Sequence, residues 1–122
     1  MKELVLQPRL RLLADMVPEG ARLADVGTDH GYLPVFLLQK GRMAGAIASD
    51  IVPGPLQHAR QTATEYEVEG IDFRLCPGLY AIGAEEADTI VIAGMGGETI
   101  RDILRAAPWA ADGHHTLLLQ PM

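Results

Sequence analysis

Cysteine is almost absent from these 122 residues. Cys76 stands alone, so neither an internal disulfide nor a thiolate metal cage can form, which agrees with a reducing compartment. Positive charge is scarce too: ten Lys and Arg face 16 Asp and Glu, a net charge of -6. Affinity for nucleic acid comes from basic groups neutralising phosphates, so this balance argues against gripping RNA or DNA over the whole surface and leaves room only for a local patch. No apolar run approaches the roughly 20 residues that span a bilayer. Lys2, Glu3, Arg9, Arg11 and Asp15 interrupt the first turns, where a signal core would lie. The expectation is a cytoplasmic protein with no membrane partner. Repeats, low-complexity tracts and long linkers are also missing. What remains is 48% apolar and 21% charged, enough to fill one core at a length suited to one domain.

Two periodicities alternate along the chain. Leu6, Leu10, Leu13, Ala14 and Val17 predict an amphipathic helix stopped by Pro18 and Gly20. The apolar run 21–27 reads as a buried strand, followed by a helix whose core stripe is Tyr32, Val35, Phe36 and Leu37. A strand over 44–50 leads to Pro53-Gly54-Pro55, where proline suits a helix start, and Leu56, Ala59, Ala63 and Tyr66 carry that helix toward Gly70. Further strands are expected over 73–76, 89–93 and 116–119, the first weakened by its shortness and by Arg74. Ile100, Ile103, Leu104 and Ala107 line a helix closed by Pro108. Strands alternating with helices give an α/β class: about five parallel strands with helices on both faces.

In such sheets ligands bind beyond the carboxyl ends of the strands. The residues there are Asp25-Val26-Gly27-Thr28-Asp29-His30-Gly31, then Ser49-Asp50, Pro77-Gly78, Gly94-Met95-Gly96-Gly97 and Gln120-Pro121-Met122. A glycine turn after the first strand, with an acid about 20 positions on, is the arrangement in which the acid holds ribose hydroxyls; Asp50 meets that test. A pyrophosphate needs a second glycine where Asp29 stands. Like charges about 4 Å apart cost about 4 kcal/mol at an effective dielectric near 20, which disfavours NAD, FAD and a nucleotide-dependent oxidoreductase. S-adenosylmethionine carries no phosphate, and an acidic rim suits its sulfonium and ammonium.

Four runs, Leu23-Ala-Asp-Val-Gly-Thr-Asp-His-Gly-Tyr-Leu-Pro34, Ala46-Ile-Ala-Ser-Asp-Ile-Val-Pro-Gly-Pro55, Ile90-Val-Ile-Ala-Gly-Met-Gly-Gly97 and Leu117-Leu-Leu-Gln-Pro121, resemble the tRNA (adenine(22)-N1)-methyltransferase family, TrmK-like, in the same order. Leu6-Gln-Pro-Arg-Leu10 and Val17-Pro18 are similar to that family's first helix. The resemblance implies a Rossmann-like class I domain that transfers a methyl group from S-adenosyl-L-methionine to N1 of an adenine in tRNA. By motif position, Gly27, Asp29 and Gly31 line the methionine part, Asp50 takes the ribose hydroxyls, and Gly94, Met95 and Gly96 lie at the methyl-transfer point. Asp25 and Gly78 complete the implied cofactor set, and no metal is implied. Adenine N1 is unprotonated at neutral pH, so alignment matters more than a strong base. That atom lies on the Watson-Crick edge and must be unpaired or flipped out. An acceptor for the N6 amine would favour the charge developing on the ring, and Asp29 and His30 are the candidates for such catalytic contacts.

Departures from the family pattern are specific. The third strand ends in Cys76-Pro77-Gly78 where the family reads Gly-Asp-Gly, and Met122 stands where asparagine follows Gln-Pro. Proline offers neither a carboxylate nor an N–H to the cofactor's adenine. Family members continue through two more strands and a helical C-terminal domain, so residues 1–122 are expected to form an incomplete domain with a sheet edge open to another chain or element. A catalytically weak or inactive cofactor-binding module is the alternative. Plainer readings also exist. Gly27 and Gly31 suit a tight turn, Asp29 an N-cap, His30 a structural role, Asp50 a surface loop and Met95 the core. Asp25 suits a local hydrogen bond, and Tyr32 the core. His114 and His115 diverge if placed on a strand, which spoils a metal pair. Arg9, Arg11, Arg22, Lys40, Arg42 and Arg60 are either a tRNA-facing patch or scattered solvated charge.

Overall fold

The computed structural model describes residues 2–122. Its strands are β1 (Ala21–Val26), β2 (Met43–Asp50), β3 (Ile71–Leu75), β4 (Thr89–Met95) and β5 (Thr116–Pro121). They form one all-parallel sheet in the order β3-β2-β1-β4-β5, as the alternating pattern predicts. Four helices connect or precede them: α1 (Pro8–Met16), α2 (Tyr32–Gln39), α3 (Pro53–Glu65) and α4 (Gly97–Ala106). Proline opens α1 and α3, where its missing N–H costs nothing. In α4, Glu98 in the first turn and Arg105 in the last complement the helix dipole.

The sheet separates two apolar layers. On one face Leu23, Ala46 and Val91 pack with Leu13 and Ala14 of α1, Leu33 and Phe36 of α2, and Ala63 of α3. On the other, Ala24, Val26, Ile90 and Ile92 meet Ile100 of α4, Ala110 of a short 3-10 turn (Pro108–Ala111), and Leu79, Ile82 and Ala87. Alternate residues of β1 and β4 thus serve opposite layers, which is why β4 reads as a nearly continuous apolar run and β1 as one interrupted only by Arg22 and Asp25. The chain moves outward from β1 to β2 and β3, then returns to place β4 on the other side of β1. That reversal opens a crevice above the carboxyl ends of β1 and β4. Among the described residues, no helix is long and apolar enough to cross a membrane.

Several boundaries differ from expectation. Strand β3 begins at Ile71 and ends at Leu75, with Arg74 inside it. The guanidinium is satisfied at the sheet edge by Asp72, Glu86 and the Ala81 carbonyl, so its charge does not break the strand. Helix α3 stops at Glu65, ahead of left-handed turns at Glu67 (φ 55) and Gly70 (φ 95). Tyr32 is not core: it is 40% exposed at the first turn of α2. Residues 76–88, which carry the chain from β3 to β4, form successive turns with no helix of their own.

Candidate active site

The loop after β1 is built from alternating left-handed residues, Gly27 (φ 72), Asp29 (φ 55) and Gly31 (φ 71). Aspartate tolerates this region better than most side chains, and glycine does so freely. The loop is tied to β2: the Gly27 and Thr28 N–H groups both donate to the Ser49 carbonyl at 2.9 Å, and the Asp29 N–H points to Asp50 Oδ2 at 3.4 Å. At Gly31 an added Cβ would stand 2.9 Å from Ala59 Cβ and 3.1 Å from its Cα, so glycine lets α2 begin hard against α3.

Two clefts lie above the strand ends and share Gly27. The first, about 330 Å³, has mainly apolar walls, including Ile51, Pro77, Leu79, Met95 and Ile103, with Asp50 at its edge. Ser49 lines it too; its Oγ is buried below the surface and has no hydrogen-bond partner among the described residues. The second, about 420 Å³, is polar and holds Asp25, Thr28, Asp29 and His30, with Arg9, Tyr32 and Gly94 in its wall. Asp25 is 5% exposed. Burial, aided by the nearby Asp50 and Asp29 charges, pushes its pKa up to about 6, although the Thr28 hydroxyl donates to Oδ2 at 2.8 Å and pulls the other way.

Of the expected site residues, Gly27, Asp50, Gly78 and Met95 line the first cleft, and Asp25, Gly27, Asp29, His30 and Gly94 the second. Gly31 and Gly96 line neither: Gly31 serves helix packing, and Gly96 is the N-cap of α4. Gly78 is held close to Ile103, whose Cγ1 would lie 3.0 Å from an added Cβ. Asp29 pairs with His30 Nδ1 at 3.2 Å. The cations disperse. Arg11 pairs with Asp15, Arg22 with Asp88 and Lys40 with Glu3; Arg42 donates to the Val17 carbonyl and Arg60 lies over Phe73. Arg9 alone of them reaches a cleft, clasped to the end of β5: its Nη1 donates to Gln120 Oε1, and Gln120 Nε2 donates to the Arg9 carbonyl, both at 3.3 Å. His115 makes a structural contact outside both clefts, with Nε2 facing the Ala84 carbonyl at 2.8 Å and Nδ1 facing Asp112 at 3.1 Å. Ser49 and Tyr32 are the cleft residues whose part sequence reasoning underrated, since neither a serine within a strand nor a tyrosine on a helical stripe announces a cavity.

A doubly wound parallel sheet, a glycine-acid loop at its switch point and paired clefts define a Rossmann-like class I fold. The family described as "Methyltransferase domain" matches residues 6–122, and the chain belongs to it. It is 41% identical to the tRNA (adenine(22)-N(1))-methyltransferase of Bacillus subtilis over 99% of its own length and 51% of that protein's, so it spans about half of that relative. A Streptococcus agalactiae protein of the NADB-Rossmann superfamily superposes with a TM-score of 0.89 at 47% identity, over 98% of this chain and 54% of that one. A Streptococcus pneumoniae protein solved in complex with S-adenosyl-L-methionine does so at 0.87 and 39% identity, over 96% and 56%.

Proposed function

We propose that the chain forms the cofactor-binding part of an S-adenosylmethionine-dependent methyltransferase acting on N1 of an adenine in tRNA, in the cytosol. The observation that carries this reading is the pair of clefts meeting at Gly27, one apolar and ending at Asp50, the other setting Asp25 and Asp29 against Arg9. An adenosine fits the first: mainly apolar walls and, in Asp50, a carboxylate able to accept from two ribose hydroxyls. A zwitterionic amino-acid end fits the second, its ammonium toward the acids and its carboxylate toward Arg9. Gly94 (φ 75) adds a backbone that carries no side chain into that space. When bound, the cofactor supplies an electrophilic methyl group on a sulfonium. The protein's part is to hold the acceptor nitrogen in line, exclude water and offer acceptors to the adenine amine, a task for Asp29 at the rim. Pro77 leaves the cofactor's adenine amine to other acceptors of the 76–80 turn. Sheet strands from the remainder of a longer enzyme, or from another chain, would add at the free edge of β5.

Calorimetric titration with S-adenosylhomocysteine and NADH tests the cofactor, and mass spectrometry of unmodified tRNA after incubation tests the transfer. S-adenosylhomocysteine binding with no NADH response, and at most weak methylation of adenine N1 by these 122 residues alone, are expected. NADH binding without S-adenosylhomocysteine binding overturns the reading. Cofactor binding without transfer would make the chain a cofactor-binding module only.

A further inference from the structure

Outside the two apolar layers, three rings stand in one column. His30 lies between Tyr32 and His58, with ring centroids 5.2 and 5.0 Å away and planes inclined by only 10° and 16°. Two of the chain's four histidines and one of its three tyrosines are gathered here. Core packing does not demand this, because all three side chains reach solvent: Tyr32 is 40% exposed, the His30 side chain 42%, and His58 is exposed on α3. The column is nonetheless fixed. The close approach of Gly31 to Ala59 brings the start of α2 against α3, setting His30 beside His58, and Asp29 Oδ2 holds the edge of His30 at Nδ1.

A stack has two ends. His30 shares both stacks, so the outer members of the set are Tyr32 and His58. The Tyr32 end lies in the wall of the second cleft, beside Asp29, whereas His58 lines neither cleft. We propose that the Tyr32 end of this column seats an unpaired purine base of the RNA substrate as a fourth stacked ring. Every base offers a π face to an aromatic platform, and such stacking strengthens binding whatever the sequence. The rim selects for a base over a backbone: a carboxylate accepts from an exocyclic amine and repels a phosphate. The inference rests on the methyltransferase reading and adds to it the surface that receives the base.

The test uses the full chain saturated with S-adenosylhomocysteine and an RNA hairpin whose loop carries 2-aminopurine, a purine whose emission is quenched on stacking. Wild type is expected to quench it. Tyr32→Phe should retain affinity within about twofold, whereas Tyr32→Leu should bind about five- to a hundredfold more weakly, the range for loss of one base-aromatic stack. Unchanged quenching in Tyr32→Leu overturns the proposal. Equal loss of hairpin and S-adenosylhomocysteine affinity also overturns it, since Tyr32 would then support the cleft and not the base. A wild type that binds S-adenosylhomocysteine but leaves the emission unchanged sinks the stacking and spares the methyltransferase reading; one that binds neither removes both.

Discussion

At Gly31 two costs coincide that are usually met apart, a left-handed backbone and a neighbour too close for a methyl group. Gly20 separates them, having φ 78 with nothing within 4 Å of an added Cβ. Gly20→Ala should therefore cost about 1 kcal/mol, the backbone term alone. Gly31→Ala should cost about 1–3 kcal/mol more, as overpacking adds to it; urea unfolding of the two variants gives the difference. Asp25 carries the other residue-scale consequence. Its native pKa of about 6 exceeds the ordinary 3.8, so the native state keeps a proton that the unfolded chain releases between those values. Stability contributed by this group is therefore present at low pH and lost as pH rises from about 4 to 6, by about 3 kcal/mol in all. Asp25→Asn should flatten that slope in urea melts recorded across pH. An ammonium seated beside Asp25 prefers the ionised form, so S-adenosylhomocysteine affinity should fall about tenfold from pH 7 to pH 5 in wild type and stay level in the variant.

Between elements, His115 joins the turn of residues 76–88 to the entrance of β5. Both ring nitrogens face acceptors, the Ala84 carbonyl and the Asp112 carboxylate, an arrangement only the doubly protonated ring satisfies. The Ala84 carbonyl first, and Asp112 next, raise its pKa above the ordinary 6.5. The clasp thus stabilises fully below pH 6.5 and weakens as pH rises through the native pKa. His115→Gln should abolish this alkaline loss, read as the change in Tm between pH 6 and 9. The elements also show what sequence reveals. Strands β1 and β4 were legible because burial on both faces demands mostly apolar residues, broken in β1 only by Arg22 and Asp25, and the glycines and acids beyond them because no core requires such residues there. Tyr32 was not, since a 3.6-residue stripe reads the same whether it faces a core or a crevice. Residues 76–88 follow no period, and Arg9 could not be told from other surface arginines while its partner Gln120 stood 111 positions away.

Over the whole molecule, the net charge of -6 and the placement of cations act together. Five of the six candidate basic residues are spent on contacts away from the clefts, leaving Arg9. With Arg9 itself clasped to Gln120 and turned to the cofactor's carboxylate, base binding relies on stacking and releases few counterions. Affinity for the 2-aminopurine hairpin should therefore fall less than tenfold between about 50 and 200 mM salt, where six to ten phosphate contacts would lose about 10³- to 10⁵-fold. A steeper decline would locate a basic surface elsewhere.

The clasp of Arg9 to Gln120 also has a meaning in time. It holds Arg9, in the wall of the second cleft, to Gln120 of β5, 111 positions further along. At a synthesis rate of about 5–20 residues per second, Arg9 waits several seconds for that partner. Ribosome-bound chains stalled before Gln120 should then retain S-adenosylhomocysteine less well than chains in which β5 has emerged, so this part of the binding site is made in two instalments.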